Sequence, residues 1–341
     1  MSIAPGARQA ALALAAIGLA LGAGGCSGDG SADDAPASPS TEDAPLPDAI
    51  PVTGAERVEL DDRLVREIAV PDGPDWMVGA FGSLWVKRDN GSVDRVDPET
   101  GKVLAEISSG PFKPPVCQGI GASEDEIWAC PRQGELTPID PASGKVSGTV
   151  KLDKVTDQGR LVGAAGKLWV ITDSGKTLSA IDERGKPTTV LKLPGCTDLA
   201  RSEGNVIWAL CPLEDRVLEI DAAAGEIVDQ LELGDPRTAA VADDLWVGFE
   251  DGVAQVDTKT LEVIAVYGLY PRYGGAIFAG DDAVWVREEG HFLTHIDPAE
   301  QRIVEAIEAP KIHSGGDVLA IGDTVWATAY DDDVLVELRA R

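Results

Sequence analysis

The residues best suited to chemistry in this 341-residue sequence lie near its C-terminal end. Its three histidines are His291, His295 and His313, and Glu288 and Glu289 stand just before the first of them. Imidazole and carboxylate groups together can bind a metal and transfer protons. However, His291 and His295 are four residues apart, a spacing that brings two ligands to one face only on a helix. We therefore predict no metal site and no catalytic residue, with a metal-dependent lyase or hydrolase as the alternative.

Aromatic and basic residues form a second group of candidates. All four tyrosines lie at or after Tyr267, and Tyr270, Arg272 and Tyr273 stand together in one segment. Such residues could line a shallow pocket or a partner-binding patch, although long loops also pack around aromatic residues without any ligand. The predicted ligand-binding residues are Trp76, Arg160, Arg237, Tyr270, Arg272, Tyr273, His291 and His313.

Composition and the absence of motifs exclude several functional classes. The net charge of −29 speaks against nucleic-acid binding and against attraction to anionic lipid. The sequence contains no P-loop, no paired-carboxylate motif and no nucleophile placed beside a base. We therefore expect no catalytic residues and no cofactor.

A repeat shows which elements must position the candidate residues. Triplets of a bulky aliphatic residue, a Trp and a small aliphatic residue recur seven times, with successive tryptophans 38 to 43 positions apart. An acid follows each Trp by 11 to 13 positions, from Asp97 in the first repeat to Glu337 in the last. A period near forty is typical of a propeller blade. The repeated tryptophans are Trp85, Trp128, Trp169, Trp208, Trp246, Trp285 and Trp326.

Within each repeat, short aliphatic runs alternate with turns that contain Gly, which predicts four antiparallel strands, a to d. Residues 97–102 (DPETGK) read as the turn between strands c and d, because Asp caps the turn, Pro fixes φ and Gly adopts a left-handed conformation. Residues 140–145 (DPASGK) repeat the pattern. The motif is therefore structural, and the repeated tryptophans are predicted to pack between neighbouring blades.

The ends of the repeat array predict how a ring would close. The last repeat ends after strand c, whereas residues 61–71 (DDRLVREIAVP) match the strand-d segment 300–310 (EQRIVEAIEAP). We predict an all-β, seven-bladed β-propeller over residues 57–341, made of four-stranded antiparallel blades. The N-terminal strand would complete the C-terminal blade and leave no unpaired edge in the ring.

In a propeller, the d–a and b–c loops emerge on one face around the central channel. We call this the loop face and expect the ligand-binding residues there. Trp76, Arg160 and Arg237 begin strands a of blades 1, 3 and 5, and His291 falls in the b–c loop of blade 6. His295 falls within strand c, where the sheet itself would pair it.

The pattern of residues 84–103 (LWVKRDNGSVDRVDPETGKV) resembles the blades of bacterial YVTN-type and PQQ-like (quinoprotein-like) propellers. The Trp strand and the Ile-Asp strand are also similar, more distantly, to those of streptogramin (virginiamycin B) lyases. The quinoprotein resemblance would imply a bound quinone beside a vicinal cysteine pair, and this sequence has no such pair. The lyase resemblance would imply a His and a Glu around magnesium, with His in strand a. None of the seven strand-a segments contains a His.

The N-terminus predicts export and lipidation. Residues 10–23 are an apolar run of 14 residues behind Arg8, which suits a signal peptide and is too short to span a bilayer. The run ends in Ala23-Gly24-Gly25-Cys26, which resembles a bacterial lipobox. We predict a lipoprotein signal peptide over residues 1–25 and a lipid on Cys26, with ordinary secretion as the alternative. Residues 26–56, rich in acids, Pro, Ser and Ala, are expected to form an unstructured tether.

The four other cysteines form two matching pairs. Cys117 and Cys130 lie 11 positions before and 2 after Trp128, and Cys196 and Cys211 lie 12 before and 3 after the Trp of the fourth repeat. Each pair would sit at the open end of one hairpin, so we predict Cys117–Cys130 and Cys196–Cys211 disulfides. Disulfides fit an oxidising compartment. A metal site is disfavoured because the pairs belong to different blades.

Two functional hypotheses follow. The first is a monomeric, non-catalytic propeller, anchored by lipid at the extracytoplasmic face of the cell membrane, that binds an unknown protein or small molecule through its loop face. The second is a metal-dependent lyase or hydrolase that uses the histidines of blades 6 and 7. Histidines that converge with a Glu on one point favour the second hypothesis, and dispersed histidines favour the first.

Overall fold

A computed structural model describes residues 45–110, 117–155, 159–202, 204–271, 276–288, 290–312 and 315–340. The predicted signal peptide, Cys26, Arg272, Tyr273 and His313 lie outside these residues. The regular secondary structure of the described chain is almost entirely β-strand, as predicted. Its helices are the 3₁₀ turns Val52–Gly54 and Pro212–Glu214 and the single α-helical turn Leu60–Arg63. None of these helices has the length and hydrophobicity needed to cross a membrane.

The strands are numbered in chain order. The first ten are β1 (Glu56–Glu59), β2 (Leu64–Ala69), β3 (Pro74–Ala80), β4 (Ser83–Arg88), β5 (Ser92–Val96), β6 (Val103–Ser108), β7 (Ile120–Ala122), β8 (Ile127–Arg132), β9 (Glu135–Ile139) and β10 (Val150–Lys151). The next ten are β11 (Leu161–Ala164), β12 (Lys167–Thr172), β13 (Thr177–Ile181), β14 (Pro187–Lys192), β15 (Asp198–Arg201), β16 (Val206–Cys211), β17 (Arg216–Asp221), β18 (Glu226–Glu232), β19 (Thr238–Val241) and β20 (Asp244–Phe249). The last nine are β21 (Gly252–Asp257), β22 (Val263–Tyr267), β23 (Ile277–Ala279), β24 (Val284–Val286), β25 (Leu293–Asp297), β26 (Arg302–Glu308), β27 (Val318–Ile321), β28 (Thr324–Ala329) and β29 (Val334–Arg339).

These strands form six sheets. Four sheets have four antiparallel strands each, in the orders β3-β4-β5-β6, β15-β16-β17-β18, β19-β20-β21-β22 and β2-β29-β28-β27. A fifth sheet, β26-β25-β24-β23, gains β1 as a parallel fifth strand, and the sixth has eight strands in the order β10-β9-β8-β7-β11-β12-β13-β14. We number the four-stranded units 1 to 7 in chain order, so that units 2 and 3 share the eight-stranded sheet. The first strands of successive units contact one another in a closed circuit, from β3 through β27 and back to β3.

The eight-stranded sheet departs from the prediction of separate four-stranded blades. It forms because β7 and β11, the first strands of units 2 and 3, pair in parallel, with Leu161 opposite Gly121. A Cβ on Gly121 would lie 1.8 Å from the Leu161 carbonyl oxygen, and one on Gly163 would lie 2.4 Å from the Ala122 carbonyl oxygen. Glycine at both positions therefore permits a backbone approach that a side chain would block.

The repeated tryptophans pack between units, as predicted. Each lies on the second strand of its unit and is buried. Trp169 of unit 3 joins a cluster that contains Leu199 and Ile207 of unit 4, and Trp326 of unit 7 joins Leu84 and Val86 of unit 1. The rings thus link each unit to the next, and their burial supplies much of the hydrophobic contact that holds the array together.

The N-terminal strand pairs with the C-terminal unit, as the sequence predicted. β2 lies antiparallel to β29, with Leu64 opposite Leu338 and Ala69 opposite Val334. Glu337, the acid of the last repeat, has a different environment from the turn residue Asp97. It lies within β29 opposite Trp326 and contacts Arg66 at 2.5 Å, so it belongs to the ladder rather than to a turn.

The turn at residues 97–102 is structural, as predicted. The Asp97 carboxylate accepts hydrogen bonds from the backbone N–H groups of Glu99 and Thr100 at 2.9 and 3.1 Å, and Gly101 has a φ of 67°. These backbone hydrogen bonds, from Thr100 first, lower the pKa of Asp97. The carboxylate is thus occupied by the turn and is not a free ligand.

Residues 50–59 pack on the propeller, in contrast to the expected tether through residue 56. The Ile50 N–H donates to the Val266 carbonyl, and its carbonyl accepts from the Gly268 N–H, each at 2.8 Å. β1 then pairs in parallel with β26. The reason is apolar burial, because Ile50 and Val52 pack against the hydrophobic cluster between units 5 and 6. The tether was predicted from the low average hydrophobicity of residues 26–56, and this average did not reveal that Ile50 and Val52 pack on the propeller.

We predict that Trp169→Ala destabilises the fold by about 3–5 kcal/mol, because it empties a buried inter-unit site. Leu213→Ala, in which the replaced side chain is 82% exposed, is the control and should change stability by less than about 0.5 kcal/mol. Chemical denaturation of both variants measures the difference. Similar losses in the two variants would contradict the packing role of Trp169.

Candidate functional site

Two disulfides crosslink the chain at the loop face. Cys117–Cys130 and Cys196–Cys211 are both formed, as predicted from their spacing. Each joins the chain just before the first strand of a unit to the second strand of the same unit. Since first strands begin and second strands end at the loop face, both crosslinks stabilise the end of the molecule where the candidate residues were expected.

A single guanidinium joins five units across the centre of this face. Arg160, which precedes β11, contacts Asp198 through Nη1 at 2.6 Å and Asp317 through Nη2 at 3.5 Å. Nη1 also lies 3.4 Å from the Thr238 hydroxyl, and the guanidinium carbon lies 4.4 Å from the centre of the Trp76 ring. These partners belong to units 4, 7, 5 and 1. The two predicted residues Arg160 and Trp76 therefore do meet at the channel.

The carboxylates of Asp198 and Asp317 are buried, and each accepts a backbone hydrogen bond in addition to its ion pair with Arg160. Asp198 accepts a second hydrogen bond from the Arg160 backbone N–H, and Asp317 accepts one from the Met77 backbone N–H, each at 2.8 Å. Burial raises the pKa of both carboxyl groups, and the Arg160 guanidinium opposes this effect. The cluster is thus a balanced arrangement in which one cation compensates two buried acids.

A β-bulge directs two more residues to the same place. In the β3–β4 ladder Pro74 lies opposite Arg88 and Met77 opposite Val86, so Asp75 and Trp76 together face Lys87. Bulges of this kind re-aim side chains and occur frequently beside binding sites. The backbone carbonyl of Asp75 accepts from the Thr328 hydroxyl at 2.7 Å. The bulge is therefore held by unit 7.

The ionisable side chains at the bulge, Asp75 and the opposing Lys87, have shifted pKa values. Burial first, and then the nearby carboxylates of Asp317 and Asp89, raise the pKa of Asp75 from 3.8 to about 7, against the opposing effect of Lys87 and Arg160. Burial lowers the pKa of Lys87 to about 8, against the effect of Asp89 and Asp75. Both groups are therefore ionised at a cost in free energy near neutral pH.

The acid Asp89 belongs to the same cluster. Asp89 accepts hydrogen bonds from the Gln118 side-chain amide at 3.2 Å and, at close range, from the Tyr330 hydroxyl. This hydrogen bond to Asp89, followed by burial, raises the pKa of Tyr330. Units 1, 2 and 7 thus share one polar network. We call Asp75, Trp76, Lys87, Asp89 and Tyr330 the mouth cluster.

The other predicted residues have separate surroundings. Arg237 is 48% exposed at its side chain and contacts Asp235 at 2.7 Å. Tyr270 is partly exposed. His291 contacts Glu288 at 2.6 Å through Nδ1.

His295 lies inside its sheet. Its ring is stacked on Trp285 with centroids 4.5 Å apart. Among the described residues, no group of three or more His, Cys, Asp or Glu side chains is arranged to hold a metal ion.

Sequence reasoning missed most of the mouth cluster. Its signal was visible in the repeat: the second residue after the repeated Trp is cationic only in units 1 and 6, as Lys87 and Arg287. Both side chains are buried. Asp198 and Asp317 likewise lie at the beginning of the first strands of units 4 and 7, as Arg160 lies just before the first strand of unit 3. A charged residue at a position that is uncharged in the other five repeats marks a departure from the packing rule.

We predict that Arg160→Ala destabilises the fold by about 3–5 kcal/mol at pH 7, because it leaves two buried carboxylates without their cation. Arg237→Ala is the matched control at the same face and should cost less than about 0.5 kcal/mol. Denaturation at pH 7 and pH 4 measures both, and the Arg160→Ala deficit should shrink at pH 4 as the acids protonate. A deficit that is independent of pH would contradict the ion-pair role.

We predict that Asp75→Asn, unlike Arg160→Ala, stabilises the folded protein. Because folding raises the pKa of Asp75 from 3.8 to about 7, the folded state loses stability as pH rises through this window. Asp75→Asn should therefore stabilise the protein by about 2 kcal/mol at pH 8, with a gain that disappears near pH 4. Asp251→Asn, at an exposed turn, is the control and should change stability by less than about 0.5 kcal/mol. Destabilisation by Asp75→Asn at pH 8 would contradict the inference that the ionised Asp75 carboxylate is unfavourable in the folded state.

Comparisons with known proteins identify the fold. The sequence matches no protein-family model, and no curated protein matches it. The structure is similar to virginiamycin B lyase from Staphylococcus aureus, with a TM-score of 0.66 and 16% identity over 80% of this chain and 98% of the lyase. It is also similar to Kuenenia stuttgartiensis hydrazine synthase (0.60, 13%, 80% and 97%) and to BamB from Moraxella catarrhalis (0.58, 14%, 81% and 99%). At these identities the likeness establishes a β-propeller fold alone.

Proposed function

We propose that this chain is a non-catalytic, lipid-anchored propeller that binds a partner protein or small ligand through its loop face. The observation that supports this is the mouth cluster, in which Asp75 and Lys87 are ionised at a cost in stability. Proteins retain such costs chiefly at binding and catalytic sites. The exposed side chains of Leu213 and Tyr270 on the same face add apolar surface for a partner.

The proposed location is the extracytoplasmic face of the cell membrane. The argument rests on the apolar run at residues 10–23 and on Cys26 at the end of a lipobox-like sequence. The two disulfides are consistent with an oxidising compartment. A lipid on Cys26 would hold the folded body near the membrane without any spanning segment.

The proposed architecture is a monomeric ring of seven blades of the YVTN or PQQ-like kind. The seven four-stranded units and the closed circuit of first-strand contacts support this count, if the eight-stranded sheet is taken as two blades. Because β2 completes unit 7 within the same chain, no second copy is needed to close the ring.

The second candidate is a metal-dependent lyase or hydrolase. The contact between His291 and Glu288 favours it, because a carboxylate that orients an imidazole is a common arrangement in general-base catalysis. The stacking of His295 on Trp285 speaks against a metal site that uses all the histidines.

Site-specific photo-crosslinking tests the binding proposal. A photoreactive residue at Leu213 reports on the loop face, and one at Ala224 in the third-to-fourth-strand turn of the same unit reports on the opposite face. In cells that express the full chain we expect a discrete adduct from Leu213 alone, or a small ligand retained in native mass spectra. Equal adducts from both faces, or no adduct and no ligand, would contradict the proposal. Loss of acyl mass in a Cys26→Ser variant checks the anchor.

A further inference from the structure

A cavity of about 510 Å³ lies between units 2 and 3. One side is formed by the end of β10 in unit 2, and the other by β12, β13 and β14 in unit 3. This volume falls within the range of small-molecule sites, about 300–1,000 Å³. Thr172, at the end of a second strand, places the cavity toward the loop face. None of the mouth-cluster residues lines it, so it is a separate candidate site.

Unit 3 lines the cavity with hydroxyl groups from one face of its sheet. Thr172 lies opposite Thr177, and Ser179 lies opposite Thr189. Opposed residues and residues two positions apart share a face of a sheet, so these four hydroxyl-bearing side chains lie on the same side. The hydroxyls of Thr172 and Ser179 are hydrogen-bonded to each other at 2.9 Å. Val170, on the same face, is buried against unit 2, so this face changes from apolar to polar on approaching the cavity.

Four charged side chains surround these hydroxyls. Lys151 and Asp153 come from unit 2, and Asp173 and Lys192 come from unit 3. All four residues are exposed, and none takes part in an ion pair with another described residue. Their hydrogen-bond donors and acceptors are therefore accessible to a ligand in the cavity.

The balance of charge around the cavity selects the class of ligand. A simple anion attracted by the two lysines would be repelled by the two aspartates and by a chain of net charge −29, and a simple cation would be repelled by the lysines. A neutral ligand with several hydroxyl groups avoids both conflicts. Its O–H groups can donate to the two aspartates, and its oxygens can accept from the two lysines and from the hydroxyls of unit 3.

We propose, resting on the ligand-binding function above, that this cavity binds a neutral mono- or disaccharide. Thr177 and Lys192, which lie opposite each other in the β13–β14 ladder, contact the sugar from unit 3. Leu152 and Pro187 provide small apolar surfaces for its C–H groups. No aromatic residue lines the cavity, so recognition depends on hydrogen bonds, and we expect a dissociation constant in the millimolar range.

Saturation-transfer NMR titration of the full chain tests the proposal. The neutral probes are glucose, galactose, N-acetylglucosamine and maltose, and the charged probes are glucose 6-phosphate and glucosamine. We expect saturation transfer to at least one neutral sugar, with neither charged probe binding more tightly than that sugar. Thr177→Val and Lys192→Met should each weaken its binding at least about threefold. Lys186→Met, which removes an exposed lysine of unit 3 that does not line the cavity, is the matched control and should leave binding unchanged.

Several outcomes would overturn the proposal. One is the absence of saturation transfer to every neutral sugar at tens of millimolar, and another is tighter binding of a charged probe. A third is equal binding by wild type, Thr177→Val and Lys192→Met, which would place the sugar elsewhere. Because Lys192 is exposed, Lys192→Met should unfold at the wild-type temperature, so its loss of binding cannot be attributed to unfolding. If Leu213 still gives its adduct while no sugar binds, only this inference fails and the loop-face function stands.

Discussion

The compensation of two buried carboxylates by the Arg160 guanidinium is the constraint on which the loop face depends. Removing Asp198 and Asp317 from water costs several kcal/mol for each charge, and only a cation held in good geometry offsets that cost. Since the partners come from different units, the ion pairs are satisfied only when the units stand in their correct relative positions. Electrostatics therefore fixes the centre of a ring whose outer parts are held by apolar packing.

This rigid centre explains how strained groups can persist beside it. The bulge at Asp75 and Trp76 is secured by the Thr328 hydroxyl, and the Trp76 ring is covered by Arg160. These contacts hold the bulge residues in one arrangement, and such preorganisation favours binding.

The fold itself says little about function. Proteins as different in name as virginiamycin B lyase, hydrazine synthase and BamB share it at 13–16% identity with this chain. A fold held by buried strands and packing between repeats can be formed by many sequences. Within this chain, the features that break the repeat pattern are Lys87 after the repeated Trp, the bulge that precedes it, and the glycines that let units 2 and 3 pair.

The sequence by itself determined the all-β propeller, the inter-unit role of the tryptophans, the closing strand at residues 64–69 and both disulfides. These features depend on periodicity and on spacing within one repeat, which can be read along the chain. Only the tertiary structure decided the partners of Arg160, the packing of residues 50–59 and the mouth cluster. Their contacts join units that are distant in sequence, and a charge becomes informative only when its burial and its neighbours are known.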